Sequence, residues 1–171
     1  MTRLIVPAAL AACLLFLGSA RAAEQLGTSQ EQLLTTKARV VDLACELTGS
    51  CPANCGDGKR QLGLLTPEGK LLVAAKGYAI FVGAVPDLLP HCGQMIWVDG
   101  LTTSQFGTTL FMVQRLKDNE ADEWHDADQG LKDWSKAHGL KPESDQAQEW
   151  YRHDETVAAE VAKRGKLGVP E

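Results

Sequence analysis

The chain has 171 residues, of which 17 are Lys or Arg and 22 are Asp or Glu, so its formal net charge is −5. Without residues 1–22, which hold two arginines and no acid, the balance is 15 basic against 22 acidic side chains, a net charge of −7. Such an acidic surface repels nucleic acid and anionic lipid, which argues against binding to either. The length suits one domain with a core of its own, with or without a small appendage.

The first 22 residues have the pattern of an export signal. Arg3 gives the positive start, residues 4–17 are apolar, and Ala-Arg-Ala at 20–22 has the small-x-small order of a cleavage site. We therefore expect a periplasmic or secreted chain that begins near Ala23. Lipid attachment at Cys13 is the alternative, ranked lower because the apolar run continues beyond that cysteine. Since no other segment approaches roughly 18 consecutive apolar residues, we expect no membrane insertion of the mature chain.

After an N-terminal segment at 23–37, residues 38–116 have the pattern of short strands. Apolar alternation and turn residues predict a helical turn at 84–89 and five strands, at 38–47, 60–65, 70–76, 95–101 and 108–116. Thr-Pro-Glu-Gly at 66–69 suits a tight turn between the second and third strands. Five strands with a helical element before the fourth are typical of a small antiparallel barrel of the OB type.

Residues 117–171 change to a helical period, interrupted at Gly139, which predicts a helical hairpin and a tail. The chain is therefore expected to be mainly β with an α extension. The helical stripe carries Trp124, Trp134 and Trp150, and it needs a surface to cover. We expect that surface to be the barrel, with docking of a partner protein as the alternative.

The acidic run at 118–128 lacks the Asp-x-Asp-x-Asp-Gly order of a calcium loop. Acidic residues at a helix start interact favourably with the helix dipole. The run is therefore expected to be a solvated start of the first C-terminal helix.

Four cysteines remain in the mature chain, and an oxidising compartment favours disulfides between them. Cys51 and Cys55 are four positions apart. On a helical turn their Cβ atoms would be roughly 5–6 Å apart, whereas a disulfide needs about 3.8 Å. Each is therefore expected to pair with Cys45 or Cys92, and two connectivities stay open.

The same cysteines suggest an alternative site for a soft metal. Cys51 and Cys55 would donate from one turn, and the ligand shell would be completed from Cys45, His91, Cys92 and Met95. Thiolate and thioether ligands select Cu(I) or Zn over hard cations. Thiol–disulfide exchange ranks third, because the usual two-residue cysteine spacing of such proteins is absent.

Three short motifs carry a resemblance: Val-Val-Asp-Leu-Ala-Cys at 40–45, Cys-Pro-Ala-Asn-Cys at 51–55 and Val-Asp-Gly at 98–100. Their order resembles that of small exported bacterial proteins with OB-like barrels, generally without an assigned activity. The resemblance implies a fold and a compartment and no catalytic residue. No triad, carboxylate pair or cofactor loop stands out. We therefore expect a non-enzymatic binding or accessory protein of the periplasm, with a metal-binding accessory protein or metallochaperone as the alternative.

Overall fold

The computed structural model describes residues 23–27, 30–76 and 83–164. The predicted export signal at 1–22, the lipidation alternative at Cys13 and the tail at 165–171 lie outside the described residues. The strands are β1 Gln32–Asp42, β2 Leu62–Leu65, β3 Leu71–Lys76, β4 Met95–Gln105, β5 Thr108–Lys117 and β6 His125–Asp126. The helices are α1 Leu43–Thr48, α2 Val85–Leu88, α3 Gln129–Ala137, α4 Asp145–Gln148, α5 Trp150–His153 and α6 Glu155–Arg164. Short 3-10 turns cover Ala53–Gly56 and Leu89–His91.

Five strands close into a barrel in the order β3-β2-β1-β4-β5, and β3 pairs with β5 to complete the ring. Neighbours in this order are antiparallel, but the closing β3–β5 pair is parallel. The barrel is therefore mixed, where the sequence predicted an antiparallel one. The reason is geometric, because strands that alternate in direction around a ring of five must leave one parallel pair.

The two-residue strand β6 extends the sheet beyond the ring. β3 pairs with the first half of β5, at Leu110 to Val113, and β6 pairs with Arg115 and Leu116 further along the same strand. The chain after the barrel is thereby fixed to one end of β5. This is the end at which the candidate site lies.

The barrel interior is apolar, since alternate residues of each strand point inward. Fully buried side chains come from all five strands of the ring: Val40, Leu62, Leu64, Leu72, Ile96, Val98, Phe111 and Val113. The predicted helical turn at 84–89 is confirmed as α2 and the start of the following 3-10 turn, and its Leu88 is fully buried in the same core. The element between β3 and β4 thus contributes a side chain to the barrel core.

The first strand differs from the prediction of 38–47 at both ends. The Asp42 carboxylate accepts hydrogen bonds from the amides of Ala44, at 2.8 Å, and Cys45, at 3.1 Å. An aspartate in this position is an N-cap, and the chain turns here into helix α1. Cys45 therefore lies on a helix and not at the end of a strand.

The helical character of the C-terminal region is confirmed, but its regular hairpin is not. The predicted stop after the first helix is present, with Gly139 in the left-handed region at φ 66°. The second predicted helix is divided into α4, α5 and α6, because Glu149 and Asp154 between them are not helical. Within the described ranges, no helix is both long and apolar enough to cross a bilayer.

Candidate functional site

The four cysteines form two disulfides. Cys45 bonds to Cys51, and Cys55 bonds to Cys92. The prediction that Cys51 and Cys55 have different partners is confirmed. The turn that separates them is not a regular helical turn, because Asn54 and Cys55 are both left-handed, at φ 47° and 50°.

The predicted metal ligands do not converge. All four sulfurs are bonded in pairs, so none is a thiolate in this oxidised form. The His91 ring contacts Asp118, and Met95 is 42% exposed. In the parts of the chain that the structure describes, no three His, Cys, Asp or Glu side chains come together in a way that could hold a metal ion. Metal binding by these cysteines requires a bridge to be reduced first. Thiol–disulfide exchange can begin from an intact bridge, by attack of an external thiolate on one of its sulfurs.

A cleft of about 300 Å³ lies at the end of the barrel, where α2, the last residues of β5, and the segment from β6 into α3 meet. It is larger than the groove of about 160 Å³ that runs between the two disulfides. Its charged lining consists of Asp87, Lys117, Asp118, Asp126, Asp128 and Lys132, and two histidines, His91 and His125, join them. We call this the acidic cleft.

One wall of the acidic cleft is attached to a disulfide. His91 directly precedes Cys92, which is bonded to Cys55. The Nδ1 atom of His91 lies 3.0 Å from an oxygen of Asp118, just beyond the end of β5. The His91 side chain is only 18% exposed, whereas Asp118 is 59% exposed. The disulfide and this contact together hold the wall against the barrel.

The opposite wall is the start of α3. Asp87 of α2 is buried, and its carboxylate accepts a hydrogen bond of 2.8 Å from the backbone N–H of Gln129. An anion at a helix N-terminus satisfies a free N–H group and interacts favourably with the helix dipole. Asp87 therefore positions α3, although it lies 42 residues earlier in the chain.

Both lysines of the acidic cleft are engaged by other groups. Lys132 pairs with Asp128 at 2.7 Å, one helical turn earlier. Lys117 donates to the carbonyl of Glu120, and its ammonium lies 5.0 Å from the ring centre of Trp124. Four aspartates against two lysines leave the lining with a formal charge of −2 when both histidines are neutral. The arrangement is suited to attract a cation.

The sequence predicted that the three tryptophans share one helical stripe, and this prediction is wrong. Trp124 precedes α3 and lies beneath the cations of Arg115 and Lys117. Trp134 of α3 stacks on His138, and Trp150 of α5 lies 6.4 Å from the Trp134 ring centre. Docking of a partner protein on a face formed by Trp124, Trp134 and Trp150, the alternative to packing on the barrel, stays a prediction.

Of the predicted site residues, only His91 lines the acidic cleft. Residues 118–128 were interpreted as a solvated helix start. Five of their six acids are indeed exposed, all except Asp128, but the run precedes α3 and contains β6, so it is not itself helical. The sequence pattern could not show that α2 and His91 lie opposite these acidic residues across a cleft. In the sequence, the one feature that pointed to this location was His91, because it is next to Cys92, a cysteine expected to form a disulfide.

Comparisons with protein-family models, with curated proteins and with solved structures find no match to this chain. The chemistry of the acidic cleft is therefore the basis on which its function is argued. That chemistry consists of carboxylates and imidazoles set against two engaged lysines.

Proposed function

We propose that this chain is an exported, non-enzymatic binding protein and that its ligand site is the acidic cleft. The ligand would present a cationic group, an ammonium or a guanidinium, to the carboxylates there. The observation that carries this proposal is the excess of four aspartates over two lysines in one concave site. An anion would meet the same carboxylates at a cost in free energy, so the sign of the charge selects the ligand class.

The size of the acidic cleft limits the ligand. Pockets for whole small molecules range from about 300 to 1,000 Å³, and this cleft lies at the lower limit. It suits one basic side chain of a peptide or a small organic amine. A guanidinium has five N–H donors in a planar fork that matches a carboxylate, which favours an arginine-like group over a simple ammonium.

The walls of the acidic cleft support selective binding because covalent and hydrogen-bonded contacts within the fold hold them in place. The Cys55–Cys92 disulfide fixes the residue next to His91, and Asp87 fixes the start of α3. Side chains that are held in place before the ligand arrives lose less conformational entropy on binding. The site is therefore preorganised, as a binding protein requires.

We also propose that the barrel is of the OB type and that it works outside the cytoplasm. The strand order and the parallel closure between β3 and β5 support the first part. Two disulfides together with the signal-like pattern of residues 1–22 support the second. In an oxidising compartment the bridges persist, which favours this proposal over metal handling by the same cysteines.

A calorimetric titration with Nα-acetyl-argininamide, called argininamide below, tests the proposal. The equally acetylated citrullinamide, in which a neutral urea replaces the guanidinium and no charge remains, is the matched probe. We expect argininamide to bind with a Kd of about 1 mM, because a few partly solvated charge pairs supply only modest free energy. Citrullinamide should bind much more weakly. Equal binding of the two, or no binding of either, would contradict the proposal.

The variant Asp126→Asn removes one charge from the lining. We expect argininamide to bind about fivefold more weakly, which corresponds to roughly 1 kcal/mol. Asp145→Asn is the matched control, because this exposed residue of α4 lies outside the acidic cleft. The same loss in both variants would mean that only the overall charge of the protein matters.

A further inference from the structure

The first described residues of the chain are bound to buried groups of the barrel. Ala23 is only 7% exposed, and its backbone nitrogen donates a hydrogen bond of 2.8 Å to Oδ2 of Asp99 in β4. The next residue, Glu24, donates its N–H to Oε1 of Gln114 in β5 at 2.7 Å. Gln114 returns a bond of 2.5 Å from its Nε2 to the Glu24 carbonyl. Two consecutive residues are thus held by side chains 76 and 90 positions away.

Asp99 is a buried carboxylate with further partners. It is 4% exposed and accepts a hydrogen bond of 2.6 Å from the hydroxyl of Thr35 on β1. Arg115 donates two bonds to Oδ2, from Nε at 3.1 Å and from Nη2 at 2.5 Å. The Ala23 nitrogen reaches that same oxygen. A buried anion of this kind is stabilised by every additional charged donor that it meets.

We propose that Asp99 and Gln114 form a binding site for the processed N-terminus of the chain, produced by cleavage between Ala22 and Ala23. The proposal rests on the export signal predicted at residues 1–22 and is independent of the acidic cleft. In the cleavage a peptidase adds water across the Ala22–Ala23 peptide bond. The C–N bond breaks, the hydroxyl goes to the Ala22 carbonyl carbon, and the Ala23 nitrogen gains a proton from the water and a second one from solvent near neutral pH.

Cleavage at this bond changes the chemistry at Asp99. Before the cut, the Ala23 nitrogen is a neutral amide with one proton. After the cut it is an ammonium with a positive charge, located 2.8 Å from a buried carboxylate oxygen. Hydrogen bonds between two charged groups are roughly twice as strong as those between neutral groups. Processing thus converts a hydrogen bond into an ion pair and fixes the start of the chain to β4.

The site is specific for one cleavage position. A chain that begins one residue earlier carries its ammonium about 3.5 Å further along an extended backbone. Asp99 would then meet a neutral amide again. Gln114 also selects this start of the chain, because its two hydrogen bonds form only when the backbone of Glu24 lies in its observed position.

The test uses the full precursor, expressed in a bacterium that exports it and purified from the periplasm. Intact mass should show a chain that starts at Ala23. The rate of acylation of its α-amine by an activated ester is then compared with that of a variant in which one glycine is inserted between Ala22 and Ala23. This insertion alters no buried side chain, so it avoids the folding defect that Asp99→Asn could cause.

We expect the wild-type α-amine to react about tenfold more slowly than that of the glycine variant, since a charge-assisted hydrogen bond must open before the amine can react. Acylation of the exposed Lys59 in the same samples is the internal control and should not change. The pH profile of the wild-type α-amine should also move to higher pH. Equal rates, or a mature chain that starts elsewhere than at Ala23, would overturn the proposal. Argininamide binding should be the same in both proteins, so that result separately tests the acidic cleft.

Discussion

The barrel and the helices that follow α3 bury very different amounts of apolar surface. The barrel encloses a continuous core, whose members include Val40, Leu64 and Phe111, all fully buried. Helices α5 and α6 have no buried residue, and α4 has one, Ala147. Most of the apolar free energy of folding therefore resides in the barrel. Helix α3 is intermediate, because Leu131 is buried and Asp87 holds its first turn.

The largest effect is expected when the barrel core is truncated. Phe111→Ala should lower the free energy of unfolding by about 3–5 kcal/mol, since Phe111 is fully buried and the deletion leaves a cavity. Val161→Ala in α6 is the control, and because Val161 is 40% exposed its effect should stay within about 0.5 kcal/mol. Urea unfolding measures both. Similar losses of unfolding free energy in the two variants would contradict the claim that the barrel contributes far more to stability than α6.

The two disulfides should differ in their contribution to stability. Cys55–Cys92 closes a loop with a sequence separation of 37, and Cys45–Cys51 closes one of 6. Loop-closure entropy predicts losses of about 4 and about 2 kcal/mol, respectively, when each pair is replaced by alanine. Thermal unfolding of the two double variants, compared at one protein concentration, checks the order. The reverse order would show that the Cys45–Cys51 bridge has a role that loop closure does not explain.

Two glycine-to-alanine substitutions distinguish a steric clash with neighbouring backbone from the strain of a positive φ. A Cβ at Gly100 in β4 would lie 2.0 Å from the carbonyl oxygen of Met112, which is backbone and cannot move aside easily. Gly100→Ala should therefore cost about 2–3 kcal/mol or more. Gly139 after α3 has open space around it and a φ of 66°, so Gly139→Ala should cost only about 1 kcal/mol. Circular dichroism melts of both proteins test the difference, and a smaller loss for Gly100→Ala would argue against the tight β4–β5 contact.

The smallest effect is expected at the exposed turn between β2 and β3. Hydrogen bonds from the Thr66 side chain and the Glu68 backbone lower the pKa of the Glu68 carboxyl from its ordinary value of 4.5. A lowered pKa in the folded state stabilises the fold above the unfolded-state pKa, and this contribution disappears as pH falls through the folded-state pKa. Thr66→Val should raise the Glu68 pKa in an NMR titration. An unchanged pKa would mean that Thr66 is not the donor.

The sequence predicted the barrel better than the boundaries of its first strand. The turn at 66–69 and the strands on either side of it follow from local residue chemistry, and they are confirmed. The switch from strand to helix at Asp42 was missed, because an aspartate inside an apolar run was interpreted as a strand residue and not as an N-cap. The parallel closure needs strand directions around the whole ring, which local patterns do not contain.

The candidate site was less predictable than the fold for the same reason. Asp87, His91 and Asp118 are brought to one cleft by the packing of α2 against the barrel and α3. Asp87 and His91 are only four positions apart, but no spacing in the sequence links either of them to Asp118. The sequence correctly excluded a disulfide between Cys51 and Cys55. It could not choose between the two remaining connectivities, because that choice depends on which cysteines the fold brings together. Trp124 was assigned to a helix because of its spacing from Trp134, but β6 comes between Trp124 and α3.

The proposed cation site is tested most directly by an NMR titration of the uniformly ¹⁵N-labelled protein with argininamide. The cleft proposal predicts amide shifts confined to the three segments that line it, residues 86–91, 116–118 and 125–132. Citrullinamide should shift those amides much less at the same concentration. Shifts centred on the β4–β5 turn or on α5 and α6, or identical shifts with both probes, would contradict the proposal.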